Sequence, residues 1–227
     1  MSACSSEDRP TDGERAPGRP VASGQLARIT PGGPEDIGRL NFAITRLIGA
    51  LTGGGPPNIF TTLARHRGVF RKWLRFASAL MPGGVLPRID SELLILRVAH
   101  NCSCDYEWQH HQRLGQLAGL SAEEIERVGR GPSAEGWSPR RTLLLGAADA
   151  LHVESTLPDE LWRPLRAMLS DAELIEMCLL VGHYEMLAMT ANALRIQPDL
   201  LPPGPPSRSM RALQSITNRR QTQEPRQ

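Results

Sequence analysis

Apolar residues recur at helical spacing along almost the whole body of this chain, and no run of Val, Ile, Thr or aromatics alternates with period two. That restricts the fold to the all-α class. Pro34-Glu35-Asp36 supplies a helix start with Pro and acids in the first turn, and Ile37, Leu40, Ile44, Leu47, Ile48 and Leu51 then define one apolar face. The Gly and Pro run from Gly53 to Pro57 ends it. Asn58 caps a segment carrying Ile59, Phe60 and Leu63, and a third helix runs from about Gly68 to Leu80 with Phe70, Trp73, Leu74, Phe76 and Leu80 inward. Met81-Pro82-Gly83-Gly84 stops that one. Asp90 or Ser91 caps the next, whose run Leu93 to Ala99 is apolar nearly all round and so belongs at the centre.

A helix from near Cys104 to Ala118 stops at Gly119. Ser121 and Glu124 form a capping box for a short helix to Val128, with Gly129 just past its end. Ser138-Pro139 starts another, with Leu143, Leu144, Ala147, Ala148 and Leu151 inward. Pro158 opens a helix through Met168. A second capping box, Ser170 and Glu173, leads into a long helix with Ile175, Cys178, Leu179, Val181, Gly182, Leu187 and Ala188.

Outside this body the composition changes. Residues 1–24 are rich in Ser, Pro, Gly and mixed charge, which reads as a disordered leader, and residues 25–200 form one helical domain. Pro202, Pro203, Pro205 and Pro206 forbid regular structure, so residues 201–227 read as a disordered basic tail. The net charge of +2, with both signs interspersed through the body, gives no reason to expect nucleic acid as a partner. No apolar stretch approaches the roughly 18–20 uncharged residues of a membrane span, and the leader lacks the apolar core of a signal peptide. The expected location is the cytoplasm. Four cysteines, one of them in the leader and one (Cys178) in the last helix, do not form a disulfide framework.

Chemistry concentrates between Ile89 and Gly119, where Glu92, Cys102, Cys104, Tyr106, Glu107, His110 and His111 gather. On a helix starting near Cys104, the residues Cys104, Glu107, Trp108 and His111 share one face, which can line a pocket. Glu92 has two readings: a carboxylate favoured by the helix dipole, or a buried proton carrier with a raised pKa. Cys102 and Cys104 form CxC, a weaker redox signal than CxxC, and the alternative is two small buried residues. Glu107 precedes His111 by four positions, so the carboxylate can hold or charge the imidazole. Tyr106 and His110 pair on a neighbouring face that suits packing or subunit contact. His183 and Tyr184 lie within an apolar helix, either lining a pocket or satisfied in the core. No spacing matches a usual zinc pattern, and no glycine-rich phosphate loop follows a strand.

These residues resemble the carboxymuconolactone decarboxylase family of the alkylhydroperoxidase D-like superfamily. Its peroxidase branch carries Glu, eleven residues, Cys, two residues, Cys, three residues, His. Here Glu92 is followed by eleven residues and Cys104, then two and Glu107, then three and His111. Tyr106 stands where that branch has a histidine between its cysteines. The segments NIFTTLARH, RIDSELLILRVA, HHQRLGQLAGLSAEEIERV and VGHYEMLAMTANAL are similar too, so the resemblance spans about Leu26 to Leu200.

The resemblance implies an alkylhydroperoxidase D-like helical bundle, assembled as a homo-oligomer (trimer or hexamer) and acting on a small molecule without metal or organic cofactor. Peroxidase chemistry needs a second thiol to resolve a sulfenic acid, which Glu107 cannot supply. The decarboxylase branch instead shares the glutamate four residues before the histidine. On that reading His111 and Glu107 are the acid–base pair, Glu92 is a second proton carrier and Cys104 lines the pocket. Arg97 or His183 holds a substrate carboxylate, with Tyr106, Trp108 and Tyr184 as further substrate contacts. Three functions follow for comparison. The first is cofactor-free acid–base chemistry, a decarboxylation or isomerisation, on a small carboxylated or lactone-like compound. The second is a thiol-dependent hydroperoxide reductase of peroxiredoxin type using Cys104, with Cys102 or an external thiol. The third is a non-catalytic oligomeric ligand-binding protein.

Overall fold

The computed structural model describes residues 26–52 and 54–200. The expected leader and the tail from residue 201 lie outside the described residues. Among the described residues there are ten helices and no strand, in the order α1 (Pro34–Ile37), α2 (Arg39–Thr52), α3 (Asn58–Leu63), α4 (Arg67–Leu80), α5 (Arg88–Asn101), α6 (Asp105–Ala118), α7 (Ala122–Arg130), α8 (Pro139–Glu154), α9 (Asp159–Met168) and α10 (Asp171–Leu194). The all-α reading holds.

Helix α5 is the hub: Leu93, Leu94, Ile95, Leu96, Val98 and Ala99 are all buried, and α6, α7, α8 and α10 pack around it. A helix apolar on every side has no solvent face to offer. Its neighbours are set by local signals. The Ser121/Glu124 and Ser170/Glu173 capping boxes both close, Ser138 caps α8 by accepting from Arg141 N, and Gly119 ends α6 in the left-handed region at φ 109°.

Several boundaries and faces differ from the sequence reading. The expected first helix is broken at Gly38, whose φ of 83° suits glycine, into α1 and α2. On α2 the expected apolar face is turned: Leu40, Leu47 and Leu51 are exposed, while Asn41 and Thr45 are buried. Both buried polar side chains answer to nearby carbonyls, Asn41 donating to Ile37 O and Thr45 to Phe42 O, so their burial leaves no unmet donor. Phe76, expected inward on α4, is also exposed. Helix α7 runs past Gly129 to Arg130 and stops at Gly131, which takes the positive φ instead.

The start of α5 matters most for the site. It begins at Arg88, capped by Pro87, rather than after Asp90 or Ser91. The loop before it is fastened to α10 by the Glu176 carboxylate, which accepts from the Val85 and Leu86 amides. A Cβ on Gly84 would lie 2.1 Å from Glu176 Oε1, so the glycine permits this approach.

Helix α10 contains no long uncharged run, since Glu176 and Glu185 interrupt it. By length and composition it is long and apolar enough to cross a membrane. More than half of the apolar window is buried inside the fold, including Met177, Leu180, Val181, Leu187 and Ala188. A core helix passes the same test of length and hydropathy.

Candidate active site

Helices α1 to α4 form a small layer with its own core of Ile37, Ala64 and Phe70, and α4 packs on α10. Between that layer and α5, α6 and α10 lies a cavity of about 420 Å³. Most of its wall is apolar, including Ile48, Leu51, Ile59, Phe60, Trp73, Leu74, Leu114 and Leu187. The polar groups reaching it are few: Arg88, Tyr106, Glu107, His110, His111, His183 and Tyr184, with Ser78 at the side. A largely apolar hollow with a handful of convergent polar groups is the usual form of a small-molecule site.

His111 stands at the centre of a four-member ionic chain. Its Nδ1 donates to Glu92 Oε2 at 2.7 Å, and its Nε2 lies 3.4 Å from Glu107 Oε2. The other Glu92 oxygen, Oε1, is 2.7 Å from an Arg88 guanidinium nitrogen. Helical spacing builds both ends of this chain, since Arg88 and Glu92 are i, i+4 on α5 while Glu107 and His111 are i, i+4 on α6. Glu92, Glu107 and His111 are all buried. Burial opposes a charge on His111, but Glu92 and Glu107 outweigh it and push the imidazole pKa up to about 9. The ring is therefore an imidazolium at neutral pH, balanced between two carboxylates.

The dipole reading of Glu92 fails on position. With α5 starting at Arg88, Glu92 lies beyond the first turn, where the dipole's influence has faded. Its partners are Arg88 and His111.

His183 faces the same cavity in the opposite electrical state. The Trp73 indole N–H donates to His183 Nε2 at 2.9 Å, and an indole can only donate, so the neutral ring carries its proton on Nδ1. Burial, helped by the neighbouring His111 charge and resisted by Glu107, pushes the His183 pKa down to about 4. Its Nδ1 is buried and has no hydrogen-bond partner. Tyr184 lies edge-on to both imidazoles, with ring centroids 5.0 Å from His111 and 5.1 Å from His183. His183 and Tyr184 thus line the pocket, and His183 is only half satisfied.

Tyr106 reaches the cavity wall through another network. Its hydroxyl donates to Asp199 Oδ2 at 2.7 Å, and His110, stacked on its ring, also meets that carboxylate. This pair fixes the chain after α10 against α6, in keeping with a packing role.

The remaining sequence candidates lie elsewhere. Arg97 grips Asp149 with two nitrogens, at 2.6 and 2.9 Å, and caps the end of α7 through Val128 O and Gly129 O. It ties α5, α7 and α8 together and does not line the cavity. Trp108 packs beside His100, away from the cavity. Cys104 is the N-cap of α6, buried in the main core, and it does not line the cavity either. Burial first, then Glu107, pushes its thiol up to about 12. Cys102 caps the far end of α5, its thiol donating to Glu185 Oε2 at 2.9 Å.

Arg88 and Trp73 are cavity residues that the sequence reading did not single out as functional. Arg88 precedes Glu92 by one helical turn, a signal that counts only when the helix starts at Arg88 and not after Asp90 or Ser91. Nothing local marks Trp73, whose partner is 110 residues away.

Residues 67–150 match the model of the carboxymuconolactone decarboxylase family. No curated protein sequence matches the chain. Among solved structures it is similar to the alkylhydroperoxidase AhpD core of an uncharacterized peroxidase-related protein from Ralstonia eutropha JMP134, with TM-score 0.63 and 19% identity over 76% of this chain and 93% of that one. A peroxidase-related protein from Silicibacter sp. TM1040 has TM-score 0.63 and 18% identity, covering 83% and 96%. The debrominase Bmp8 has TM-score 0.64 and 14% identity, covering 83% and 97%. At these identities the neighbours speak for the fold alone. Arg88, Glu92, Cys104, Glu107 and His111 all fall within the segment similar to the carboxymuconolactone decarboxylase family, and the chain as a whole has an AhpD-like helical fold.

Proposed function

We propose that this protein is a cofactor-free acid–base enzyme of the decarboxylase type, acting on a small carboxylated or lactone-like compound. One observation carries the reading. The His111 imidazolium, clamped between Glu92 and Glu107, opens on an apolar cavity that Cys104 does not reach. In the reaction, the bond from substrate carbon to its carboxylate breaks, CO2 leaves, and the electron pair passes into the conjugated carbonyl. The resulting enolate carbon then takes a proton from His111 Nε2, and the ring regains one from solvent through the exposed mouth. Glu107 and Glu92 steady the imidazolium without needing to move. The free Nδ1–H of His183 offers a hydrogen bond to a substrate carbonyl or carboxylate oxygen, and the dry walls strengthen each of these contacts.

The thiol peroxidase reading is weaker on physical grounds. A thiol whose pKa stands near 12 holds almost no thiolate at neutral pH, and the nucleophile is the thiolate. The deciding experiment presents the full chain with a panel of unsaturated lactone acids and, separately, with hydroperoxides plus a dithiol. CO2 release that persists in Cys104→Ser and is lost in His111→Gln is the expected result. Peroxide turnover that depends on Cys104 and survives Glu107→Gln would overturn the reading, and ligand binding without turnover would favour a non-catalytic role.

A homo-oligomer belongs to this proposal. Ile175, Leu179, Gly182, Met186 and Met189 are exposed along α10 at alternating spacings of four and three, which is the seam pattern of packed helices. A second copy of the chain suits such a face, because the same stripe on the partner matches it. Light scattering should give a trimer or hexamer for the wild type and smaller species for Leu179→Glu. A wild-type monomer would remove the oligomer from the proposal.

A further inference from the structure

On the side of α10 away from the acid–base chain, three different donor types meet. Cys102 sits at the C-terminal end of α5, His152 in the last turn of α8 and Glu185 in the middle of α10. Cys102 Sγ, His152 Nδ1 and a Glu185 oxygen all lie within 4.8 Å of one another. At present Glu185 links the other two: Oε2 accepts from the thiol at 2.9 Å, and Oε1 is 2.6 Å from His152 Nδ1. We propose that Cys102, His152 and Glu185 form a transition-metal site that takes one Zn²⁺ per chain, with the fourth position left to water.

The donor set argues for this ion class. One sulfur, one imidazole nitrogen and one carboxylate oxygen suit borderline-soft Zn²⁺ in tetrahedral geometry, and they suit Mg²⁺ or Ca²⁺ poorly, since those ions favour all-oxygen shells. Zinc bonds are about 2.0–2.3 Å long. Three donor atoms within 4.8 Å of one another are close enough to share one such ion after side-chain adjustment. The backbone under them is already fixed. α5, α8 and α10 pack on one another in the main core, and Asn192 donates to Cys102 O at 2.9 Å, holding the α5 terminus against α10. Access is open because His152 is exposed, while Cys102 and Glu185 are half-buried and keep the site partly dry.

Binding exchanges hydrogen bonds for metal bonds. The Cys102 S–H proton leaves to solvent as the thiolate coordinates, and the Glu185–His152 contact is replaced by two bonds to the same ion. No redox step is involved. Sequence spacing could not reveal the site, since its ligands come from three helices, with 49 residues between Cys102 and His152 and 32 between His152 and Glu185.

The test uses the full chain, stripped with a chelator, reduced, and titrated with Zn²⁺ by calorimetry and with Co²⁺ by absorbance. The expected result is one equivalent bound, with Co²⁺ giving a near-ultraviolet thiolate-to-metal band. Cys102→Ser should abolish that band. His152→Ala, at an exposed position that spares the fold, should weaken Zn²⁺ affinity by more than about 100-fold, beyond the loss typical of outer-shell partners. Cys178→Ser should change neither. Absence of stoichiometric uptake, or a Co²⁺ band that persists in Cys102→Ser, would overturn the assignment. Because these readouts require no turnover, they stand apart from the acid–base reading of the cavity.

Discussion

Truncating Glu92 to alanine is expected to lower the unfolding free energy by about 3–5 kcal/mol, the usual cost of removing one member of a buried ion pair. Glu92 is fully buried, and its two oxygens are the nearest counter-charges to Arg88 and to His111 Nδ1. Without it, the Arg88 guanidinium loses its buried counter-charge and cannot escape by losing its proton, while His111 keeps only Glu107. His111 can, so the loss is capped once the imidazole becomes neutral. Glu92→Gln keeps the volume and one acceptor, and its cost should be smaller.

The pH dependence separates this account from simple loss of packing. His111 has its pKa raised from 6.5 to about 9 on folding, so its contribution is complete below pH 6.5 and disappears as pH rises through 9. A shift of that size corresponds to roughly 3 kcal/mol. Urea unfolding of the wild type should therefore weaken between pH 7 and 10, with unchanged m, while Glu92→Ala should be flatter over the same range. A loss under about 1 kcal/mol for Glu92→Ala, or parallel pH curves for the two proteins, would mean that water reaches the pair and screens it.

How far the chain could be read in advance depended on whether a feature was local. The capping boxes at Ser121 and Ser170, the Ser138 cap and the Gly119 stop are each written within a few consecutive residues, and all four appear as expected. The face of α2 is not legible locally, because Asn41 and Thr45 are satisfied on carbonyls of their own turn and so can be buried while Leu40, Leu47 and Leu51 face outward. The start of α5 is equally non-local: Glu176, some 90 residues on, holds the preceding loop. The i, i+4 pairing of Glu107 with His111 was legible, being contained in one helix. That Glu92 meets the same ring depends on how α5 crosses α6, and only the family's spacing pointed to it. Arg97, read from the resemblance as a candidate holder of a substrate carboxylate, stands in a row of apolar residues. Its partner Asp149 lies on α8, 52 positions away, so nothing local marks that charge as already used.

Replacing His111 with glutamine is expected to lower kcat/KM on the lactone acid turned over in the panel by about 10²–10⁴, the span that general acid catalysis commands. The wild-type profile gives the stronger test, because His111 acts as the proton donor and must enter the reaction charged. With its pKa at about 9, the protonated fraction is complete at pH 7, so kcat/KM should hold level through neutral pH and fall above 9. Glu107→Gln removes one of the two carboxylates that raise that pKa, and the alkaline limb should move toward neutral pH. His183 predicts the opposite end. It is neutral above about pH 4, so its Nδ1–H donor is present across the working range, and protonation below pH 4 still leaves that N–H in place while costing the Trp73 bond. His183→Phe should therefore raise KM for a carboxylated substrate more than it lowers kcat, with the alkaline limb set by His111. A profile flat to pH 10, or an unchanged limb in Glu107→Gln, would transfer the proton to another group and leave His111 as the bridge that holds α5 to α6.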